Sequence, residues 1–300
     1  MSFFEINHLS KSYGKNKKKA LDNVTFDVKA GEIVALIGKN GAGKTTLLNC
    51  IAGNITPDTG KVCYKGTELL REDSRLNEFG ILIQASFFNY LNAYDNLVLL
   101  AKASGIKDIN VIKNKVNSIL TLVDLDGKKK AYVKSFSFGQ KQRLGLAQTL
   151  LHDPEFLILD EPFVGLDPLG KEMLKGVIVD KAKNKKAGIL FSSHDLDDVS
   201  DICDRVVMIN NGKKVFDDVF LYKKTYTVIC QKVIQKQIGA IIIEQFKGKV
   251  TIVDSNKIEF VEKNLINEVL SILFTNKIKI SDIQIRESSL YDFFKSEVKI

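Results

Sequence analysis

Two periods of hydrophobic and polar residues alternate along this chain, and each change of period marks an element. Residues 3–9 alternate loosely and predict a first strand, and Leu21, Val24, Phe26 and Val28 predict a second near 21–29. Ala30-Gly31 then turns the chain into Ile33-Val34-Ala35-Leu36-Ile37, an unbroken apolar run of the kind buried on both faces of a parallel sheet. Three later runs share that character. Ile81-Leu82-Ile83 ends at Gln84, Phe156-Leu157-Ile158-Leu159 ends at Asp160 and Glu161, and Ile189-Leu190-Phe191-Ser192-Ser193 ends at His194. Between them the period lengthens. Ile112, Val116, Ile119, Leu120 and Val123 share one face of a helix starting near Asp108, and Leu144, Ala147, Leu150 and Leu151 one face of a helix after Ser137. A further helix runs from Pro168 to about Asn184, and Asn210-Asn211-Gly212 turns a hairpin. From about Val215 the pattern changes to short strands at 225–230, 249–254 and 257–261, a helix near 262–274 and a strand near 278–285. Ser289 and Asp292 then form a capping box for a last helix with Leu290, Phe293 and Phe294. The pattern predicts an α/β core with a small α+β unit behind it.

Composition narrows the function classes without choosing one. No run approaches the length of about eighteen apolar residues that a spanning helix needs. Met1-Ser2-Phe3-Phe4-Glu5 lacks the charged and apolar regions of a signal peptide, so a cytoplasmic location is expected. Cys50, Cys63, Cys203 and Cys230 have neither C-x-x-C nor metal-ligand spacing and read as buried, reduced thiols. The formal charge of +8 comes partly from lysines 17–19 and 128–130. Such runs are ordinarily solvated, with attraction to anionic lipid as the alternative. No aromatic platform is interleaved with the charge, so no nucleic-acid partner is expected.

The chemistry starts at Gly38-Lys39-Asn40-Gly41-Ala42-Gly43-Lys44-Thr45-Thr46, which matches G-x-x-x-x-G-K-[ST] between a strand and a helix. Glycines let the backbone turn its N–H groups toward an anion, and the following helix N-terminus adds partial positive charge. In such a loop Lys44 reaches the β- and γ-phosphates and the Thr45 hydroxyl ligates Mg²⁺. Asp160 and Glu161, delivered by a buried strand, supply one acid for the metal and a second to polarise water. His194 ends a strand, where open α/β sheets hold ligands. Two features stay open at this level. Tyr13 can stack on a purine base or cap the sheet edge. Phe87, Phe88, Tyr90 and Tyr94 are either core or a docking surface for another protein's helix.

Taken in order, these pieces resemble the ATP-binding-cassette (ABC) ATPases, the motor subunits of ABC transporters, over roughly residues 3–217. The resemblance implies a P-loop NTPase core of the ABC type over 1–217, with an antiparallel β edge and a helical subdomain over about 86–152. Residues 218–300 then form a small C-terminal α+β accessory domain. Tyr13 looks like the aromatic that stacks on adenine, and Gly38 to Thr46 like the Walker A loop. Gln84 looks like the Q-loop glutamine, acting in catalysis and at the metal beside Thr45 and Asp160. Phe136-Ser137-Phe138-Gly139-Gln140 is similar to the signature motif, of which Ser137, Gly139 and Gln140 contact nucleotide. Asp160 and Glu161 correspond to Walker B and the general base, Asp167 to the D-loop and His194 to the switch histidine. The common signature is Leu-Ser-Gly-Gly-Gln, so Phe136 and Phe138 are departures. A bulky residue at 138 followed by Lys-Gln-Arg is similar to a branch exporting drugs and antimicrobial peptides. The resemblance implies ATP and Mg²⁺ as ligands and a homodimer or heterodimer with a second ABC ATPase subunit. It also implies a separate integral-membrane permease and a location on the inner face of the membrane. An importer ATPase and a soluble non-transport ABC ATPase are the rival readings.

Overall fold

The structure is a computed structural model describing residues 3–14, 18–70, 73–195, 198–199, 201–219, 224–246, 248–262 and 264–287. The last helix expected after Ser289 and part of the lysine run at 17–19 lie outside these residues. The chain divides into two compact units, 1–220 and 221–300.

In the first unit, β1 (Phe4–Tyr13) and β2 (Lys18–Val28) form a long antiparallel pair, with Phe4 opposite Val28 and Tyr13 opposite Lys18. Both strands run further toward the intervening turn than hydrophobic alternation alone indicates, because ladder bonding continues through their polar ends. With β4 (Thr59–Tyr64) and β5 (Thr67–Glu68) they make a separate sheet in the order β2-β1-β4-β5. The second sheet carries β3 (Ile33–Ile37), β6 (Phe79–Leu82), β7 (Phe156–Leu159) and β8 (Gly188–Ser193). It is completed by β9 (Arg205–Asn210) and β10 (Lys213–Asp218), in the order β10-β9-β3-β8-β7-β6. All neighbours are parallel except β10, which returns antiparallel to β9 through the Asn211-Gly212 turn. Every residue of β3, β7 and β8 is buried, as expected for parallel strands covered on both faces.

Helix α1 (Lys44–Ile51) contributes Leu47, Leu48 and Ile51 to one core, which also takes in Phe4, Ile6, Phe26 and Val62 from the antiparallel sheet and Val34, Leu36, Ile158 and Leu190 from the parallel one. Phe156 stacks on Phe4 at 4.3 Å between ring centres. Helices α2 (Ala93–Ala103), α3 (Ile109–Leu122) and α4 (Phe138–Thr149) follow β6. Asp108 caps α3, and Ile112, Val116, Ile119 and Leu120 are its buried face. Helix α5 (Pro168–Lys183) leads into β8.

Strand β6 stops at Leu82, whose carbonyl accepts the Asp160 N–H at 2.7 Å. It is an edge strand paired only with β7, so its ladder ends with that strand and Gln84 falls in the bend beyond. The aromatics that follow divide. The Asn96 side chain, fully buried, donates to the Phe88 and Asn92 carbonyls and accepts the Phe88 N–H, fixing the 88–92 loop. Phe88 and Tyr90 are thereby held outward, 43% and 70% exposed and edge to face at 5.8 Å, rather than in the core.

The second unit is a four-stranded antiparallel sheet of β11 (Lys224–Cys230), β12 (Val250–Asp254), β13 (Lys257–Phe260) and β14 (Ile280–Glu287), ordered β12-β13-β11-β14. Helix α6 (Lys236–Gln245) lies where the pattern predicts no element, and its β-branched Ile241-Ile242-Ile243 and Gly239 are weak helix formers. Tertiary packing decides it: Ile242 and Phe246 enter a core with Leu265, Val269 and Leu273 of α7 (Leu265–Thr275) and with Tyr226, Val228 and Ile258. Gly239 packs closely against this sheet, a Cβ there lying 2.9 Å from the movable Ile252 Cδ1.

Replacing Phe156 by Ala removes a fully buried ring from the junction of the two sheets of the first unit. It should cost about 3–5 kcal/mol. Urea denaturation, followed for that unit's transition, should show the midpoint fall with the slope preserved.

Candidate functional site

Parallel register brings the chemistry together. Leu36 lies opposite Ser192, Ile37 opposite Ser193 and Leu159 opposite Phe191, so the segments leaving β3, β7 and β8 emerge at one edge of the sheet. After β3 the loop closes on glycines that tolerate no side chain. A Cβ at Gly38 would collide with the Ile209 carbonyl, and one at Gly43, at φ +114°, would lie 2.5 Å from the Ala20 carbonyl. Gly43 is the N-cap of α1 and gives no side-chain cap, leaving the first-turn N–H groups free to face an anion. The Gly212 N–H donates to the Ala42 carbonyl at 2.8 Å and fixes the far side of the loop. Lys39, Asn40 and Gly41 line its exposed crest.

Lys44 is 6% exposed, and its ammonium donates to the Gly38 carbonyl at 2.7 Å and lies 3.3 Å from Glu161 Oε1. A buried cation needs such partners. Thr45 Oγ1 donates to Asp160 Oδ2 at 2.7 Å, and Ser192 Oγ to Asp160 Oδ1 at 2.5 Å. Ser192 Oγ also accepts the Glu161 N–H at 2.8 Å. Glu161 sits at φ +46°, a conformation rarely taken by a residue with a side chain. Gln142 Nε2 supports it from α4, donating to the Glu161 and Pro162 carbonyls at 3.4 and 3.3 Å. The Glu161 carboxylate also meets His194 Nδ1 at 2.8 Å.

These contacts join Gly38, Lys44, Thr45, Asp160, Glu161 and His194 in one cluster. Thr45 and Asp160 offer adjacent hard oxygens, which fit Mg²⁺. Among the described residues no group of three His, Cys, Asp or Glu side chains is placed to hold a metal. Gln84 is exposed two residues past β6 and hydrogen-bonds to neither Thr45 nor Asp160. Tyr13 is 45% exposed opposite Lys18, on the hairpin whose Ala20 touches the loop at Gly43, and Lys11 Nζ stands 5.8 Å from its ring centre.

A second cluster forms at the start of α4. Ser137 caps this helix in a reciprocal box, its Oγ accepting the Gln140 N–H and its own N–H donating to Gln140 Oε1 at 3.1 Å. Asp167 caps α5 at Gly170 and accepts from Arg143 Nη2 at 2.8 Å, while Arg143 Nη1 donates to Asp124 at 2.6 Å. Ser137, Gly139, Gln140, Arg143 and Asp167 line one open cavity of 510 Å³. Ser137 and Gln140 therefore bond to each other and not to the Gly38–Thr46 loop. Phe136 is buried and Phe138 is 62% exposed.

Residues 21–164 match the family described as ABC transporter. The chain is 36% identical to a lantibiotic transport ATP-binding protein of Streptococcus pyogenes, over 71% of this chain and 89% of that one. The chain belongs to the ABC transporter ATPase family. It is also 38% identical to the bacitracin transport ATP-binding protein of Bacillus licheniformis over 68% of its length, and 36% identical to a sulfate/thiosulfate import ATP-binding protein of Pseudomonas aeruginosa over 69%. The matched stretch spans only 66% and 64% of those two relatives. In fold it matches an ATP-binding cassette solved as a dimer in a post-hydrolysis state with ADP and Pi, at TM-score 0.67 and 22% identity over 72% of this chain and 98% of that one. No helix among the described residues is long and apolar enough to cross a membrane.

Ser192, Gln142 and Arg143 are functional supports that the motif reading of this ABC ATPase passes over. The signal for Ser192 was available: two serines end an otherwise apolar strand, and one of them must lie beside Asp160 in a parallel ladder. Ser192→Ala leaves Asp160 Oδ1 and the Glu161 N–H short of a partner. It should destabilise the fold by about 1–3 kcal/mol. ATP turnover should fall about tenfold while nucleotide affinity changes less than about threefold, read by phosphate release and fluorescence titration.

Proposed function

We propose that this chain is the ATP-hydrolysing motor of an ABC exporter, closing as a dimer around two Mg-ATP to drive a separate membrane permease. The observation that carries the hydrolytic part is the meeting of Lys44, Asp160, Glu161 and His194 around one phosphate loop. In this reading the Gly38–Thr46 backbone and Lys44 bind the β- and γ-phosphates. Thr45 and Asp160 hold Mg²⁺, joined by Gln84. The bound metal supplies charge neutralisation at the phosphates. Glu161 accepts a proton from the attacking water, and His194, hydrogen-bonded to it, orients the carboxylate and meets the γ-phosphate. Tyr13 provides a stacking face for the adenine.

The two-copy part rests on the second cluster. A phosphate loop covers one side of a triphosphate, and donors on the opposite side must come from elsewhere. Ser137, Gly139 and Gln140 sit at a helix N-terminus beside an open cavity, and Ser137 and Gln140 bond to each other rather than to this chain's Gly38–Thr46 loop. They are suited to a nucleotide held by a second copy or a close relative, with Asp167 at the same face. For the permease, the outward pair Phe88 and Tyr90, with Tyr132 55% exposed beside them, offers an apolar docking face. Export is favoured by the bacitracin and lantibiotic transport relatives and by the Phe138-Gly139-Gln140-Lys141-Gln142-Arg143 sequence. Import is the second reading, favoured by the sulfate/thiosulfate relative. A peptide or drug cargo follows only from the export reading.

Glu161→Gln should bind ATP, turn it over at least about a hundredfold more slowly and accumulate as a Mg-ATP dimer in sedimentation velocity. Unchanged turnover would remove Glu161 as the base. Lys44→Ala should instead lose nucleotide affinity, measured by calorimetry. Recovery of a multi-span membrane protein with the Glu161→Gln chain and Mg-ATP from detergent-solubilised native membranes supports the transporter reading. Recovery of soluble partners alone would move the chain to a non-transport role.

A further inference from the structure

Phe138 is the first residue of α4, and its exposed ring stands on the turn that carries Ser137, Gly139 and Gln140. That ring is seated on Gly165. A Cβ added to Gly165 would collide with Phe138 Cδ1 and lie 2.7 Å from Cε1. The next residue makes a reciprocal contact, since a Cβ on Gly139 would lie 2.5 Å from the Gly165 carbonyl oxygen. Neither glycine has room for a side chain, and the aromatic ring fills the space beside them.

Gly165 is in turn linked to Glu161 through the backbone. Successive turns connect it to Glu161, with the Val164 N–H donating to the Glu161 carbonyl at 3.2 Å and the Leu166 N–H to the Phe163 carbonyl at 3.3 Å. Gln142 and Arg143 hold the two ends of the same segment from α4. The middle is held by the Phe138 ring and by the approach of Gly139 to Gly165. The start of α4 and residues 161–167 thus form one packed body, with Glu161 at φ +46° at one end of it.

We propose that Phe138 is a positioning residue, the apolar key that transmits the state of the Ser137 turn to Glu161 of the same chain. The proposal rests on the reading that this turn faces a nucleotide held by a second copy. Loading of the turn displaces the N-terminus of α4, the ring carries Gly165 with it, and the Glu161 turn follows. Hydrolysis at one site then depends on occupancy of the other. A rigid ring with two side-chain torsions suits this task, because it passes on a displacement that a flexible chain would absorb. Phe138 touches no reacting group itself. The aromatic departs from the bare backbone of the common motif, and the substituted position has taken on a mechanical part.

The test uses the full chain with Phe138→Gly and Phe138→Tyr, measuring nucleotide affinity by fluorescence titration and turnover against ATP concentration. Phe138→Gly should bind nucleotide within about twofold of the parent yet lose about tenfold in kcat, with its Hill coefficient falling from about 2 toward 1. Phe138→Tyr keeps the ring and should retain both. Parental kcat and Hill coefficient in Phe138→Gly, or equal impairment in Phe138→Tyr, overturns the assignment while the two-copy reading stands. Failure of the Glu161→Gln chain to dimerise with Mg-ATP overturns both.

Discussion

Asp160 is held by two hydroxyls, from Thr45 at 2.7 Å and from Ser192 at 2.5 Å, and the three residues lie on three different segments. That arrangement is possible because β3, β7 and β8 are parallel neighbours whose carboxyl ends fall at one level. A shift of one residue in either ladder would turn Ser192 to the opposite face of the sheet and break the connection. The register is in turn fixed by burial. Each of these strands is apolar and covered on both faces, and the Phe156, Ile158, Leu36 and Leu190 side chains share one core with the antiparallel sheet. The hydrophobic effect therefore sets the geometry of the polar site indirectly, by setting which strand ends meet.

The same constraint explains the unusual backbone at Glu161. The carboxylate must turn back toward Lys44 and His194 immediately after a strand that ends at Leu159, and the chain does so through a left-handed residue. Such a conformation persists only when its surroundings over-determine it. Here Ser192 takes the Glu161 N–H, Gln142 takes its carbonyl and the 163–166 turns follow. The apparent redundancy of these supports is the condition for holding a carboxylate in place without a rigid element beneath it.

What could be read in the sequence follows from what kind of interaction determines each feature. The phosphate loop, the buried strands and the α3 face are local patterns with steric or periodic causes, and they stand in the structure where the pattern placed them. Helix α6 was hidden because its β-branched isoleucines oppose its fate, and only contact with Ile252, Tyr226 and α7 decides it. Phe88 and Tyr90, left open between core and docking surface, are turned outward because one buried side chain, Asn96, fixes their loop. Ser192 is signalled by the serines that end its strand, but Gln142 acts on Glu161 across 19 positions from a different helix, and no local pattern marks that contact.

Family resemblance and structure divide the work differently at the Ser137 turn. Resemblance marks Ser137, Gly139 and Gln140 as residues that face nucleotide, and it treats Phe138 as a departure. The structure gives each of the four a present occupation. Ser137 and Gln140 cap their own helix, Gly139 admits the Gly165 carbonyl, and Phe138 covers Gly165. A capping box is compatible with an anion at the same terminus, because it engages only some of the first-turn N–H groups and leaves the macrodipole in place. The aromatic substitution is likewise compatible with a working site, since its ring is directed onto Gly165 and not into the capped turn. What changes is the set of atoms at the joint between α4 and residues 161–167. The approach of Gly139 to the Gly165 carbonyl is backbone against backbone, and the exposed Phe138 ring adds a side-chain contact to Gly165 beside it.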